Sequence, residues 1–350
     1  MNEQTALVQH RLDAAQAADL LGGGIKGKLA PAIAPSAVAA KHAALPDGLD
    51  KAGLAFLADP QVRIGVTLAS PGNVRNLVAY GAGDSERLVG FTAGGDGSFN
   101  LATALSPEHL AALVITGLGL DQDINELHLS APLSRVGLLA LVGFADALRQ
   151  RDLETLLARL PKPESRVSLE EIYLRTLDGM VSGDVRWSTA LVAQLVDGLP
   201  DVGEAVLLQG MQELQQASWV QTVGNNWQPT GSFTVGCAHW QLPLAGASVQ
   251  LARLMEGEVE VTDFTLFRLL GSVWLWRREG AQHELASISS TRAMAFLDGV
   301  LAGFTVLPKP TAPPKAQETP PARPRPRFCR QCGKPLLADA RFCAACGTPI

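Results

Sequence analysis

Apolar and polar positions alternate with a period of two over Gln61–Val66, Asn76–Tyr80, Arg87–Thr92 and Ser98–Leu105, a spacing that predicts four short strands with Gly94–Gly97 as a hairpin turn. The pattern then changes to helical spacing. Ser106 is placed to cap, Pro107 suits the first helical position, Glu108 lies in the first turn, and the run from His109 supplies an apolar face. The same succession returns near the end of the body. Ser248–Arg253, Thr265–Leu270, Val273–Arg277 and Glu284–Ile288 read as strands, followed by Ser290 as a cap and an apolar helix over Met294–Leu301. At an offset of 184 residues Leu101, Ala102, Ser106, Ala111 and Leu113 recur as Leu285, Ala286, Ser290, Ala295 and Leu297, which reads as a degenerate internal duplication. Between the two copies, Leu169–Val181, Ser188–Val196 and Val202–Ala217 have helical spacing, and residues 219–223 and 227–230 read as a two-stranded wing about Asn225 and Asn226. This is a winged-helix outline. The chain is therefore expected to be α+β: a pseudo-duplicated body of small antiparallel sheets and helices with a winged-helix-like middle. The predicted division is 1–160 for the first half and 161–307 for the middle and second half.

Residues 308–327 hold eight prolines and no large apolar side chain. Such a segment favours polyproline II and serves as a semi-stiff spacer of up to about 60 Å. Beyond it, Phe-Cys-x-x-Cys-Gly-x-Pro occurs twice, at Phe328–Pro335 and Phe342–Pro349. Two Cys-x-x-Cys knuckles separated by ten residues supply four soft donors for a tetrahedral Zn²⁺, with Cys329, Cys332, Cys343 and Cys346 as the expected ligands. Four thiolates leave no open position for water, so the expected ion is structural and single. A pair of disulfides or a redox knuckle is the alternative, set against an eight-residue unit that repeats whole. Phe328, Phe342 and Leu336–Leu337 are nearly all the apolar material of the segment, so metal must supply its folding energy. Residues 328–350 resemble the short zinc-ribbon family.

With 350 residues, 47% hydrophobic and 18% charged, the rest of the chain has ample material for a large core. The start lacks the basic and apolar runs of a signal peptide. The longest apolar stretches, Val136–Phe144 and Gly299–Leu307, are core-sized, so no membrane span is expected. Metal-held thiols and a lone Cys237, read as a buried filler, suit a reducing compartment and place the protein in the cytoplasm. The net charge of −5 hides an asymmetry: residues 1–307 carry 21 basic and 32 acidic side chains, whereas residues 308–350 carry eight basic and two acidic. An acidic body is a poor partner for nucleic acid, whose affinity comes mainly from phosphate contacts. The third helix of the winged outline has Glu204, Glu213 and several glutamines but no Lys or Arg to hold phosphate.

Enzymatic signatures are weak. Gly22–Leu29 satisfies G-x-G-x-x-G and part of a phosphate-binding loop, yet Leu29 replaces the Mg²⁺-binding hydroxyl and a helix-like stretch precedes it where a strand is required. The six histidines show no metal spacing, and no nucleophile elbow appears. No catalytic or cofactor-binding residue is assigned. A dispersed active site remains open on sequence grounds. The tryptophans at 187, 219, 227, 240, 274 and 276 are expected in the core, with an exposed aromatic interface as the other reading.

The unit Leu54–Pro60, Val62–Val66, a hairpin and a Ser-Pro-Glu-His-Leu helix resembles the EspG family of type VII secretion chaperones, best over residues 54–118 and weakly over 248–301. That resemblance implies a pseudo-symmetric chain with two related sheets. It also implies a cytosolic chaperone masking an apolar helical tip of a secreted client. The ribbon and linker lie outside that family's plan, and no contact residues carry across. The reading is thus a non-enzymatic adaptor or secretion-type chaperone whose body binds a protein client and whose ribbon docks a second component. The alternative is a winged-helix and zinc-ribbon transcriptional regulator that binds nucleic acid. The oligomeric state is left open.

Overall fold

The computed structural model describes residues 8–13, 16–17, 29, 54–82, 87–94, 98–161, 165–279 and 282–305, together with the single residues 331, 334 and 346. The linker, three of the four ribbon cysteines and almost all of Gly22–Leu29 therefore lie outside the described residues. The chain divides into two compact units, Met1–Leu307 and Pro308–Ile350.

The body is α+β, built on one antiparallel sheet. Its strands are β1 (Val8–Leu12), β2 (Val62–Ser70), β3 (Asn73–Gly81), β4 (Leu88–Ala93), β5 (Phe99–Leu105), β6 (Ser130–Pro132), β10 (Pro243–Met255), β11 (Glu258–Leu269), β12 (Val273–Glu279) and β13 (Gln282–Ile288). They are ordered β1-β5-β4-β3-β2-β10-β11-β12-β13-β6. The order reads the same outward from the centre. Each half is a meander of four strands with one short extra strand at its edge, and the halves meet where β2 pairs antiparallel with β10, Val66 opposite Val249. What the sequence shows as two small sheets is one continuous sheet, because the two inner strands leave no edge to cap at the junction.

The duplication is real in space, and its offset drifts. The β2–β3 and β10–β11 hairpins turn at Gly72 and Gly257, both at positive φ (75° and 87°) and 185 residues apart. Leu101 and Leu285 keep the offset of 184, and both are fully buried on the same face. The helix starts are 183 apart. In the first copy Ser106 caps α1 (Pro107–Leu118), its hydroxyl accepting the His109 N–H while the His109 ring answers the Ser106 N–H. In the second copy the cap of α7 (Ser290–Thr305) is Ser289, whose hydroxyl accepts the Arg292 N–H at 3.2 Å, and not Ser290 as the sequence offset suggests. The lost residue is a bulge: the register between β4 and β5 slips between Leu88 and Gly90, and Ala104 there has a φ of 61°. Past the bulge, Leu113 corresponds to Phe296 and His109 to Arg292.

Helices α1 and α7 pack side by side over one face of the sheet. Leu110, Val114 and Leu118 of the first and Ala293, Leu297 and Leu301 of the second meet Ile64, Val66, Val249, Leu251 and Phe264. The opposite face is covered differently in each half. In the first, Leu12, Ala17 and Leu57 close over Tyr80, Phe91 and Leu101. In the second, the middle of the chain closes over Phe267, Trp274, Trp276 and Leu285.

That middle has the winged-helix outline read from the sequence. Helix α2 (Arg135–Leu157) leads into β7 (Val167–Ser168), α3 (Leu169–Ser182), α4 (Ser188–Leu195) and α5 (Glu204–Gln216). The wing, β8 (Val220–Val223) and β9 (Asn226–Pro229), follows, with strand order β7-β9-β8, and α6 (Thr234–Trp240) leads back to the sheet. Helix α3 is capped by Ser168 and Glu171, bonded reciprocally, with Gly183 left-handed at its end. The wing turns at Gly224, φ 60°, one residue before the asparagine pair, because Asn226 is already paired with Val223 and Ser168. Helix α2 shows no amphipathic stripe, since every residue from Gly137 to Leu148 is buried between the sheet and α3–α5. Residues 130–157 thus cross the division read at 160, pairing and packing with the second half.

Candidate functional site

The duplication places two equivalent clefts on the helical face of the sheet, one beneath each capped helix. Beneath α1, an open groove of about 520 Å³ has Val66, Leu68, Leu77, Leu105, Leu110 and Leu113 as its floor and walls. Arg75, Asn100, Gln9 and Thr116 stand on its rim, and none of the described lining residues is acidic. The Ser106–His109 cap fixes one end, the His109 Nδ1 lying 2.9 Å from the serine hydroxyl.

Beneath α7 the corresponding cleft, about 400 Å³, is polar. Phe296, the counterpart of Leu113, lies edge-on against Phe264 with ring centroids 4.9 Å apart. The Arg277 guanidinium lies 5.9 Å from the Phe296 ring centroid and 3.6 Å from the Glu284 carboxylate. Arg292 meets Glu126 at 2.6 Å, and Glu126 also meets His128 at 2.8 Å. The Arg292 hydrogen bond is the leading cause that holds the Glu126 carboxyl below its usual range, with His128 assisting. One copy is therefore lined by an aromatic ring and ion pairs while the other is lined by aliphatic side chains.

Other polar groups serve structure. Asp146 of α2 is fully buried and accepts the Ser188 and Thr189 N–H groups at 3.0 and 2.8 Å, capping α4 from a neighbouring helix. Burial pushes its carboxyl up to about 6, against the pull of those hydrogen bonds and of Arg149. Glu213 of α5 accepts from the Ser134 N–H and hydroxyl at the start of α2. The helix that would enter a DNA groove thus spends one of its two glutamates on its neighbour, and packs Leu207, Met211 and Leu214 inward. Trp219, Trp227, Trp240, Trp274 and Trp276 are buried, as expected for core residues. Trp187 is half-buried between Arg149 and Arg175, whose guanidinium carbons lie 4.5 and 5.2 Å from its ring centroid.

Of the predicted zinc ligands, Cys346 is described and exposed, whereas Cys329, Cys332 and Cys343 lie outside the described residues. The donor set fits zinc on its chemistry: four thiols in paired knuckles. Cys237, on α6, is buried, and burial pushes its thiol up to about 12. The α1 groove itself went unread in the sequence. A signal was present in the alignment of the two copies, but the one-residue drift set Leu113 opposite Leu297 and hid its true counterpart.

Residues 328–350 match the family model of the zinc-ribbon domain. The chain is also similar in structure to EspG5, a type VII secretion system chaperone of Mycobacterium tuberculosis solved in complex with the PE25–PPE41 dimer. That likeness has 10% identity and a TM-score of 0.44, over 85% of this chain and 97% of that one. At those values it carries no argument about function. No curated protein matches the chain. No helix among the described residues is long and apolar enough to cross a membrane.

Proposed function

We propose that the protein is a non-enzymatic adaptor or secretion-type chaperone of the cytoplasm, whose body binds a polypeptide client in the α1 groove and whose zinc ribbon docks a second component. The observation that carries this reading is the contrast between the two clefts. The cleft under α7 is lined by Phe296 and two ion-paired arginines, whereas the equivalent cleft under α1 is lined by aliphatic side chains and open to solvent. An open apolar concavity on a duplicated scaffold is the expected form of a protein-docking site. In the ribbon, Cys329, Cys332, Cys343 and Cys346 would hold one Zn²⁺, which when bound supplies the folding energy that so few apolar residues lack. The regulator reading is not favoured, because α5 offers no cation for phosphate and turns its apolar face inward.

The test is site-specific photocrosslinking. A benzoylphenylalanine placed at Ala112, exposed on the groove wall, should capture a discrete polypeptide from nuclease-treated native cytosol. The same probe at Val181, exposed on α3, should not. Equal capture at both positions, or capture abolished by nuclease, would overturn the proposal.

A further inference from the structure

The two clefts differ at particular positions, and those differences describe what the open one lacks. Along the ladders Leu77 pairs with Thr92 and Thr92 with Asn100, as Phe264 pairs with Arg277 and Arg277 with Glu284, so Leu77 stands where the second half has Phe264. At the 183-residue offset of the helices, Leu113 stands where it has Phe296. Both rings of the edge-on pair, of which Phe296 lines the second cleft, are therefore leucines in the first half. The charges are trimmed as well. Glu284, which pairs with Arg277 on the rim of the second cleft, corresponds to Asn100 at the 184-residue offset of β5 and β13. Arg277 corresponds to Thr92, and the first rim carries its cation on another strand, at Arg75, with no carboxylate among its described residues.

We propose that the α1 groove receives an aromatic side chain carried beside an acidic residue on the bound polypeptide, the ring taking the space that Phe296 takes in the other half and the carboxylate facing Arg75. This deepens, and rests on, the client-binding reading. Size and charge complementarity both point to this occupant. A cavity of about 520 Å³ is within the range that holds a large side chain and its neighbours, and an apolar floor with one rim cation selects a ring with an adjacent anion over a ring alone. A bare acyl chain would satisfy the floor, but it has no counterpart in the second cleft, where the apolar group is a flat ring met edge-on.

A library of peptides displayed on phage and panned against the full-length, zinc-loaded chain tests the chemistry directly. Peptides with Phe, Tyr or Trp next to Asp or Glu should be enriched. Leu113→Phe, which gives the groove the ring its twin already has, should weaken the enriched peptides at least tenfold. Arg75→Glu, an exposed change that does not depend on core repacking, should weaken them about as much and remove their dependence on salt. Enrichment of purely aliphatic peptides, or of aromatic peptides indifferent to Arg75→Glu, would overturn the inference while leaving a client site in the groove. Displacement of the peptides by millimolar decanoate but not by phenylacetate would overturn it in favour of an acyl carboxylate. Peptide and photocaptured client both binding unchanged to the Leu113→Phe and Arg75→Glu chains would place binding elsewhere and overturn the client-site reading with it.

Discussion

Replacing Asp146 by Ala removes a cap that no local residue supplies. Helix α4 begins after Trp187, which has no capping side chain, and its first N–H groups instead point into the body at the Asp146 carboxylate. Truncation leaves the Ser188 and Thr189 N–H groups buried without that acceptor, at about 1–3 kcal/mol each. A total of about 2–5 kcal/mol is therefore expected. Unfolding a body of this length has an entropy of about 0.6 kcal/mol per kelvin at roughly 2.1 cal/mol/K per residue, so the melting temperature should fall by about 3–8 °C in scanning calorimetry. Asp146→Asn retains one acceptor and should lose less. The pH dependence separates capping from charge. The folded carboxyl titrates near 6 and the unfolded one near 3.8, so the folded state holds the proton between those values and its ionisation opposes folding. Stability from this group is full below about pH 4, declines as pH rises through 6, and is flat above. The decline is about 3 kcal/mol for two pH units at 1.36 kcal/mol each. Glu171 and Asp184, whose carboxyls are held low by their partners, slope the other way at acid pH, so the comparison with Asp146→Asn isolates the effect. A loss below about 1 kcal/mol in Asp146→Ala would refute the capping argument. Parallel pH profiles for wild type and Asp146→Asn between pH 4 and 6.5 would refute the charge argument.

Cys343→Ser should take bound zinc from one ion per chain to none by elemental analysis while the main calorimetric transition stays within about 1 °C; its cooperative loss would disprove a modular ribbon. Gly210→Ala should destabilise by about 1–3 kcal/mol or more in urea, because an added Cβ would lie 2.5 Å from the Ala140 Cβ and the Val136 carbonyl oxygen, where α5 crosses α2. An unchanged midpoint would mean that the crossing is looser than its contacts imply. The Cys237 thiol, buried and pushed up to about 12, should resist iodoacetamide at pH 8 in native protein while the ribbon cysteines react once zinc is chelated; alkylation of Cys237 at a comparable rate would show that α6 opens readily.

Much of the architecture was legible because its signals are local. The Ser106 cap, the helices α3, α4 and α5, and the two strands of the wing all announce themselves within a few residues, although the wing turns at Gly224 and not at the asparagine pair. What was missed lacks a local signature. β6 is three residues ending in proline, and it becomes a strand only because β13 presents an edge beside it. Helix α2 shows no period because its middle is covered on all sides, and periodicity records only a contrast between wet and dry faces. The bulge at Ala104 shifted the internal alignment by one residue and concealed the pairing of Leu113 with Phe296.

The sequence by itself determined the α+β class, the duplication, the winged middle and the four thiols spaced for zinc, since turns, caps, alternation and knuckle spacing act over distances shorter than ten residues. Only the tertiary structure decided that the two halves share one sheet, that Asp146 caps a helix 42 residues away, and that one of two equivalent clefts is lined by ion pairs and the other by aliphatic side chains. Those outcomes depend on which side chains meet across the fold, and shape and charge at such meetings are summed over neighbours that chain order does not place together.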